Sequence, residues 1–277
     1  MSSIEIVVIS LASAAERRRS AAERLHALQW PWRFFDAHTA VDNELPYDPE
    51  RAALCRGYRL TPAEIGCFSS HFNCIKLHAS RSDAKPTHML VLEDDVVLDP
   101  CFDVAVIPAL MSRLEIDYLR LFSRFMTRSK YLGRVGSNRS LYRFVVPPYG
   151  AQAYAISRAG ARRFIDSVSQ IERPVDDELD RYWVNDLPAY ALFPYPVIES
   201  SATTTVAKGF ADNRPVSQSR RARGFTMVWQ EKFRRGRANL RLAAQDAAVT
   251  RALRGFKPGS LELPGIATGT DKSAVPR

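Results

Sequence analysis

The sequence has neither of the common glycine-rich phosphate cradles. No G-x-G-x-x-G follows the first strand pattern, and no G-x-x-x-x-G-K-[ST] occurs in the 277 residues. A site that holds phosphate on backbone amides alone is therefore unsupported, and a bound phosphate would need a metal to offset its charge. No apolar run approaches the roughly 18–20 residues of a membrane span. The N-terminus lacks a basic stretch ahead of its apolar run Ile4–Leu11, which Glu5 interrupts. The expectation is a chain without a secretory signal, placed in the cytoplasm. Cysteine is scarce: Cys55, Cys67, Cys74 and Cys101 read as reduced thiols rather than a disulfide framework. No histidine follows His88 and no cysteine follows Cys101. A metal ligand from the C-terminal half must then be an oxygen, and Glu199 is the candidate.

With 46% hydrophobic and 25% charged residues, the chain can bury a sizeable core in one large α/β domain or two small ones. Its net charge of +9 is unevenly spread. Residues 220–257 hold eleven basic and two acidic residues, and the rest of the chain is neutral.

The stretch around which the chain is organised is His88–Val96, where an apolar run enters three consecutive carboxylates, Glu93, Asp94 and Asp95. Such a run reads as a buried strand up to its carboxyl end. Three adjacent acids repel, and hard oxygen ligands suit Mg²⁺ or Mn²⁺. Ligands of open α/β sheets sit outside the carboxyl ends of strands. A solvated acidic turn is the alternative.

Around it, Ile4–Leu11 reads as a first strand, and Ser13–Glu16 has capping-box spacing for a helix to about Leu28. Arg17, Arg18 and Arg19 oppose the dipole at that helix start, which suits an arginine that meets an anion or a base, or one that snorkels into solvent. Trp32–Ala37 reads as a second strand carrying Asp36, and 38–60 as a long loop. Thr61-Pro62-Ala63-Glu64 is a strong start for a helix to about Ser80. Cys67, His71, Cys74 and His78 form a stripe on it, but span about 16 Å along the axis, too far for one tetrahedral site. An adjacent pair sharing a metal with outside ligands, or core cysteines with a hydrogen-bonded histidine, both fit; Ser70 and His71 are kept for the substrate side. Further on, 102–114 reads as a helix broken near Pro108, 118–122 as a strand, 123–140 as a basic flexible stretch and 141–146 as a strand. Residues 147–157 run from loop to strand, where small residues at 150, 151 and 153 leave room for a ligand to approach the backbone or serve close sheet packing equally well, and a helix begins at Ser157. Pro174 opens a second acidic cluster, Asp176-Asp177-Glu178, and 189–197 reads as an edge strand.

Several of these stretches occur in one order: Ser10-Leu11 with Arg17-Arg18, Phe35-Asp36-Ala37, Glu64-Ile65-Gly66-Cys67 with Ser70-His71, Leu92-Glu93-Asp94-Asp95, Ala153–Ser157 with Gly160-Ala161, and Pro174-Val175-Asp176. Together, over about residues 4–205, they resemble glycosyltransferase family 25, the lipopolysaccharide-biosynthesis and collagen-type galactosyltransferases. The resemblance implies a GT-A fold: a Rossmann-like mixed sheet flanked by helices, here with a basic helical C-terminal extension. It implies inverting transfer of a sugar, commonly galactose, from a UDP-sugar donor with Mn²⁺ or Mg²⁺ to a saccharide or lipid-linked acceptor in surface-glycan synthesis. Carried onto this sequence, the D-x-D-like element reads Glu93-Asp94-Asp95, which departs from strict D-x-D. Asp95 is then the main metal ligand, with Glu93 and Glu199 beside it. Asp176, or failing it Asp177, is the base, or both hold acceptor hydroxyls instead. Ser10, Leu11, Arg18, Asp36, Glu93 and Asp94 lie on the nucleotide side, and Ser70, His71, Gly150 and Gln152 on the sugar side.

The expected division is a catalytic domain over 1–215, a basic helical extension over 216–257 and a disordered tail over 258–277. Aromatic and aliphatic residues recur at helical spacing among the arginines of the extension, from Phe225 to Leu240. Peripheral binding to an anionic membrane and simple packing on the domain both fit this pattern. Nucleic acid is disfavoured, because no recognised motif accompanies the charge. The competing functions are a GT-A-fold protein that binds saccharide without transfer, or a basic peripheral-membrane adaptor.

Overall fold

The first strand divides its side chains between two cores. Ile4, Ile6 and Val8 pack into one with Leu25 and Leu110, and Val7 and Ile9 into the other with Phe68 and Ile75. Burial on both faces is why this strand reads as a nearly unbroken apolar run. The computed structural model describes residues 3–26, 30–41, 45–83, 85–136, 138–200 and 225–254. In chain order the elements are β1 (Ile4–Ser10), α1 (Ala15–His26), β2 (Trp32–Asp36), α2 (Pro49–Arg56), α3 (Pro62–Ser80), β3 (His88–Glu93), β4 (Val96–Leu98) and α4 (Val106–Leu114). There follow β5 (Tyr118–Arg120), β6 (Ser129–Val135), β7 (Arg139–Phe144), β8 (Ala153–Ser157), α5 (Arg158–Ser167), α6 (Val175–Leu179), α7 (Tyr182–Asn185), β9 (Tyr190–Phe193), β10 (Val197–Glu199) and α8 (Phe225–Arg254).

Eight strands form one sheet in the order β2-β1-β3-β8-β5-β9-β7-β6. β1 is parallel to β2 and β3, and β5 to β9; the other pairs are antiparallel. The result is a large mixed sheet flanked by helices. α1 and α4 cover one face, and α3 and α5 the other. The connections leave β1 in opposite directions, so the carboxyl ends of β1 and β3 form a crevice of the kind in which open α/β sheets bind ligands.

α3 begins as expected. Thr61 Oγ1 accepts from Glu64 N–H, and the Glu64 carboxylate accepts from Thr61 N–H. Gly66 is required on this helix, because a Cβ there would lie 2.6 Å from the His38 carbonyl oxygen. A two-stranded ribbon matters equally to the site. β10 pairs antiparallel with β4, Glu199 opposite Val96, and Ser200 N–H donates to the Asp95 carbonyl at 2.7 Å.

Four local expectations need correcting. The stretch 38–60 is not all loop: Asp48 caps α2 by accepting from the N–H groups of Glu50 and Arg51, and Gly57 ends it in a left-handed conformation. The stretch 123–140 contains β6, paired with β7. β9 is an interior strand between β5 and β7, not an edge. Pro108 does not break a helix, because α4 begins at Val106 and leaves the proline in the first turn, where no intrahelical N–H bond is lost. Leu28, the 215/216 boundary and the tail 258–277 lie outside the described residues.

The extension packs on the domain. Leu242, Val249 and Leu253 of α8 join Leu132, Val135 and Leu141 of the β6–β7 hairpin. Asp246 takes two hydrogen bonds from the fully buried Arg143, at 2.6 and 2.9 Å, and one from Lys130. Of the two readings of the basic segment, docking on the domain therefore holds for this face. The opposite face keeps Trp229, Phe233 and Leu240 exposed, at 58%, 66% and 78%. Among the described residues, no helix is long and apolar enough to cross a membrane.

Candidate active site

A cavity of about 650 Å³ opens at the carboxyl ends of β1 and β3. Ser10, Leu11, Ser70, His71, Glu93, Asp94, Asp95, Gly150, Gln152 and Asp176 all line it. Five separate stretches of the sequence thus meet at one place. Arg18, Asp36, Asp177 and Glu199 do not line it.

The three acids after β3 face different surroundings. Asp94 is held by the protein: its Oδ2 accepts from Ser10 Oγ at 2.6 Å, and its Oδ1 lies 3.3 Å from Arg17. Arg24 donates to the Asp94 carbonyl at 2.7 Å. Asp95 is 6% exposed, and its Oδ1 is buried without a hydrogen-bond partner. Burial first, then repulsion from Glu93, Asp94 and Glu199, pushes its carboxyl up to about 7. Glu199 is also 3.5 Å from Arg124, a cavity residue. A buried carboxylate oxygen without a partner suits a hard divalent cation such as Mn²⁺ or Mg²⁺. Asp95 would be the central ligand; Glu93 and Glu199 repel it, but among the described residues the three do not converge within 4.8 Å.

Arginines at the start of α1 do meet anions, though not those of the cavity in every case. Arg18 donates to the Ser10 carbonyl and to Asp36, and its guanidinium lies 4.8 Å from the Phe34 ring centroid. It ties β1 to β2 at their ends. Arg17, its neighbour, is the one that reaches the cavity.

Asp176 is fixed by the backbone. Its Oδ2 accepts from Gly150 N–H at 2.7 Å and its Oδ1 from Asp177 N–H at 2.9 Å. Tyr149 and Gly150 both have positive φ, 64° and 86°, and a Cβ on Gly150 would lie 2.6 Å from Gln152 Oε1. This turn is propped from below by the buried Arg120, which donates to the carbonyls of Tyr149 and Gly150 and to Asp180 Oδ1. Asp177, by contrast, does not line the cavity; it pairs at 2.7 Å with Arg56, which does. Gln152 Oε1 is buried without a partner, a free acceptor on the cavity wall.

The α3 stripe splits. Cys74 and His78 belong to the core side: Cys74 Sγ lies 3.8 Å from Met89 Sδ, and His78 Nδ1 lies 3.3 Å from Glu5 Oε1. Cys67 and His71 face the cavity. Burial first, then the carboxylates of Glu93, Asp176, Glu64 and Asp95, hold the Cys67 thiol well above its usual range. The Ser70 hydroxyl is spent on the backbone, donating to the Gly66 carbonyl and accepting from His38 N–H.

The family model of glycosyltransferase family 25 (LPS biosynthesis protein) matches residues 3–179. The chain belongs to glycosyltransferase family 25. The matched span carries every cavity residue named above as a sequence candidate, whereas β10 and α8 lie beyond it. A curated relative, "Probable inactive glycosyltransferase 25 family member 3" of Rattus norvegicus, is 29% identical over 227 residues, 69% of this chain. The match spans 37% of that relative's length.

Several cavity residues lay outside the sequence reading, among them Arg17 in place of Arg18, and Arg56, Tyr58, Arg124 and Tyr149. The positive φ of Tyr149 could have been suspected from Tyr-Gly after two prolines. Nothing local in the sequence marks Arg124.

Proposed function

We propose that this chain is an inverting glycosyltransferase of GT-A fold, moving a hexose from a UDP-sugar to a saccharide hydroxyl in lipopolysaccharide or other surface-glycan assembly. Galactose is the first donor sugar to test. One observation carries the reading: a buried, unpartnered carboxylate oxygen on Asp95 shares a cavity with Asp176, a carboxylate that no basic side chain pairs among the described residues. Family membership supports the same conclusion.

A divalent cation on Asp95, when bound, supplies charge neutralisation for the departing diphosphate. The remaining work falls to the chain. Asp176 removes the proton from the attacking acceptor hydroxyl, and the two backbone N–H groups that fix its carboxylate set its direction. Ser10, Leu11 and Arg17 form the nucleotide wall, with Arg18 and Asp36 bracing the end of β1. Gln152 Oε1 accepts from a sugar hydroxyl. Asp176→Asn is isosteric, removes the base and leaves one of the two backbone N–H groups without its acceptor, so transfer from UDP-galactose to a saccharide acceptor should fall by about 10²–10⁴-fold with donor binding retained. Unchanged transfer would remove Asp176 from this role.

The name of the rat relative motivates the competing reading, a family member that binds saccharide without transfer. Donor and acceptor binding without product would favour it.

We also assign the exposed face of α8 to an anionic membrane surface, on the cytoplasmic side. Trp229, Phe233 and Leu240 are exposed on a helix that also carries Arg234, Arg237 and Arg241. Exposed apolar groups among cations suit a headgroup layer. Co-sedimentation with phosphatidylserine vesicles should drop in a Trp229→Ser, Phe233→Ser variant; equal pelleting would count against it.

A further inference from the structure

We propose that Cys67, His71 and Glu93 form a second cation site, built for a borderline-soft divalent ion, Zn²⁺. One ligand atom from each residue, a sulfur, a nitrogen and an oxygen, lies within 4.8 Å of the other two. Cys67 and His71 are one helical turn apart on α3 and share a face. Glu93 enters from the end of β3.

His71 points to a ligand independently. Its ring is fully buried, yet Nε2 has no hydrogen-bond partner. That nitrogen lies 3.5 Å from Glu93 Oε1. Its other nitrogen, Nδ1, is 2.9 Å from the Tyr154 hydroxyl, and the two rings stack at 5.7 Å. In the tautomer that donates Nδ1–H to Tyr154, Nε2 keeps its lone pair on the side where the cysteine and glutamate ligand atoms lie within 4.8 Å of the ring nitrogen. Metal-bound imidazoles are oriented in this way through their second nitrogen.

The donor set separates this site from the neighbouring one. Thiolate and imidazole favour Zn²⁺ over Mg²⁺ and Mn²⁺, whereas the group around Asp95 is all oxygen. Glu93 is common to both. Three protein ligands, all lining the cavity, would leave a fourth position for a water or ligand oxygen. On binding, the Sγ–H bond of Cys67 breaks, its proton passes to solvent and an Sγ–metal bond forms. One thiolate and one carboxylate then balance the two positive charges. None of this depends on the chain transferring sugar.

The test uses the full chain, stripped of metal, and titrates Co²⁺ as a spectroscopic stand-in for Zn²⁺. The expected result is one equivalent with a thiolate-to-cobalt charge-transfer band in the near ultraviolet, displaced by Zn²⁺. Cys67→Ser should abolish the band, and His71→Asn should weaken binding by at least about tenfold. Asp95→Ala should leave the band in place while removing any Mn²⁺-dependent nucleotide response. That difference separates failure of this site from failure of the transferase reading. Circular dichroism verifies folding, and Cys67→Ser, at a half-buried position, carries the test if His71→Asn does not fold. No band in folded protein, or a band that survives Cys67→Ser, would overturn the assignment.

Discussion

The acids of α6 and the turn after it are met by arginines, and the acids after β3 largely meet one another. Asp177 pairs with Arg56, Glu178 with Arg173 and Arg181, and Asp180 with Arg120. After β3, Arg17 reaches Asp94, but among the described residues Asp95 has no arginine and is repelled by Glu93, Asp94 and Glu199. The two clusters look alike as strings of Asp and Glu. Their partners show that most of the second holds the fold together, while the first leaves charge unbalanced. Asp176 is the exception within the second cluster, turned to the cavity and bonded only to backbone N–H groups among the described residues.

Burial pushes the carboxyls of both Asp180 and Asp95 up to about 7, but among the described residues only Asp180 has an arginine against it, at 2.7 Å, so substitution should act with opposite sign in the two places. Asp180→Ala leaves the fully buried Arg120 guanidinium without its carboxylate and should cost about 3–5 kcal/mol, read by denaturant unfolding. A loss well below 1 kcal/mol would mean the pair is not structural. Asp95→Asn should stabilise the metal-free protein. The Asp95 carboxyl stays protonated up to about 7 when folded, against 3.8 when free, so the native chain loses stability as pH rises between these values. The variant escapes that loss and should gain about 1–3 kcal/mol above pH 7, with no gain below pH 4. For the same reason, cation affinity should climb with pH to about 7 and then level. Destabilisation by Asp95→Asn at pH 8 would show that the acids after β3 are paired after all.

Much of this comparison was open to the sequence. The apolar run into Glu93-Asp94-Asp95 marks a strand end, and Thr61-Pro62-Ala63-Glu64 marks the helix that faces it, because both signals are local. Five of the ten candidate residues that line the cavity, Ser70, His71, Glu93, Asp94 and Asp95, come from these two stretches. The sequence did not separate Asp176 from Asp177, or Arg17 from Arg18. Adjacent residues on a helix point about 100° apart, and which one faces the cavity depends on how the helix is seated against the sheet. The stretch 189–197 read as an edge because Pro194 and Pro196 suggested one, whereas β7 and β6 pair beyond β9 through long-range contacts. α2 was missed although Asp48, Pro49 and Gly57 carry its cap signals.

The central claim is that the carboxylates after β3 hold a cation against a nucleotide diphosphate. The most direct test is thermal stability against a panel of nucleotide sugars, each with and without Mn²⁺. A ligand that binds only the native state raises the melting temperature by mass action. The account predicts a rise that needs both Mn²⁺ and UDP or one UDP-sugar, and that Asp95→Ala abolishes. No rise with any nucleotide in folded protein, or a rise that Asp95→Ala leaves intact, would contradict it.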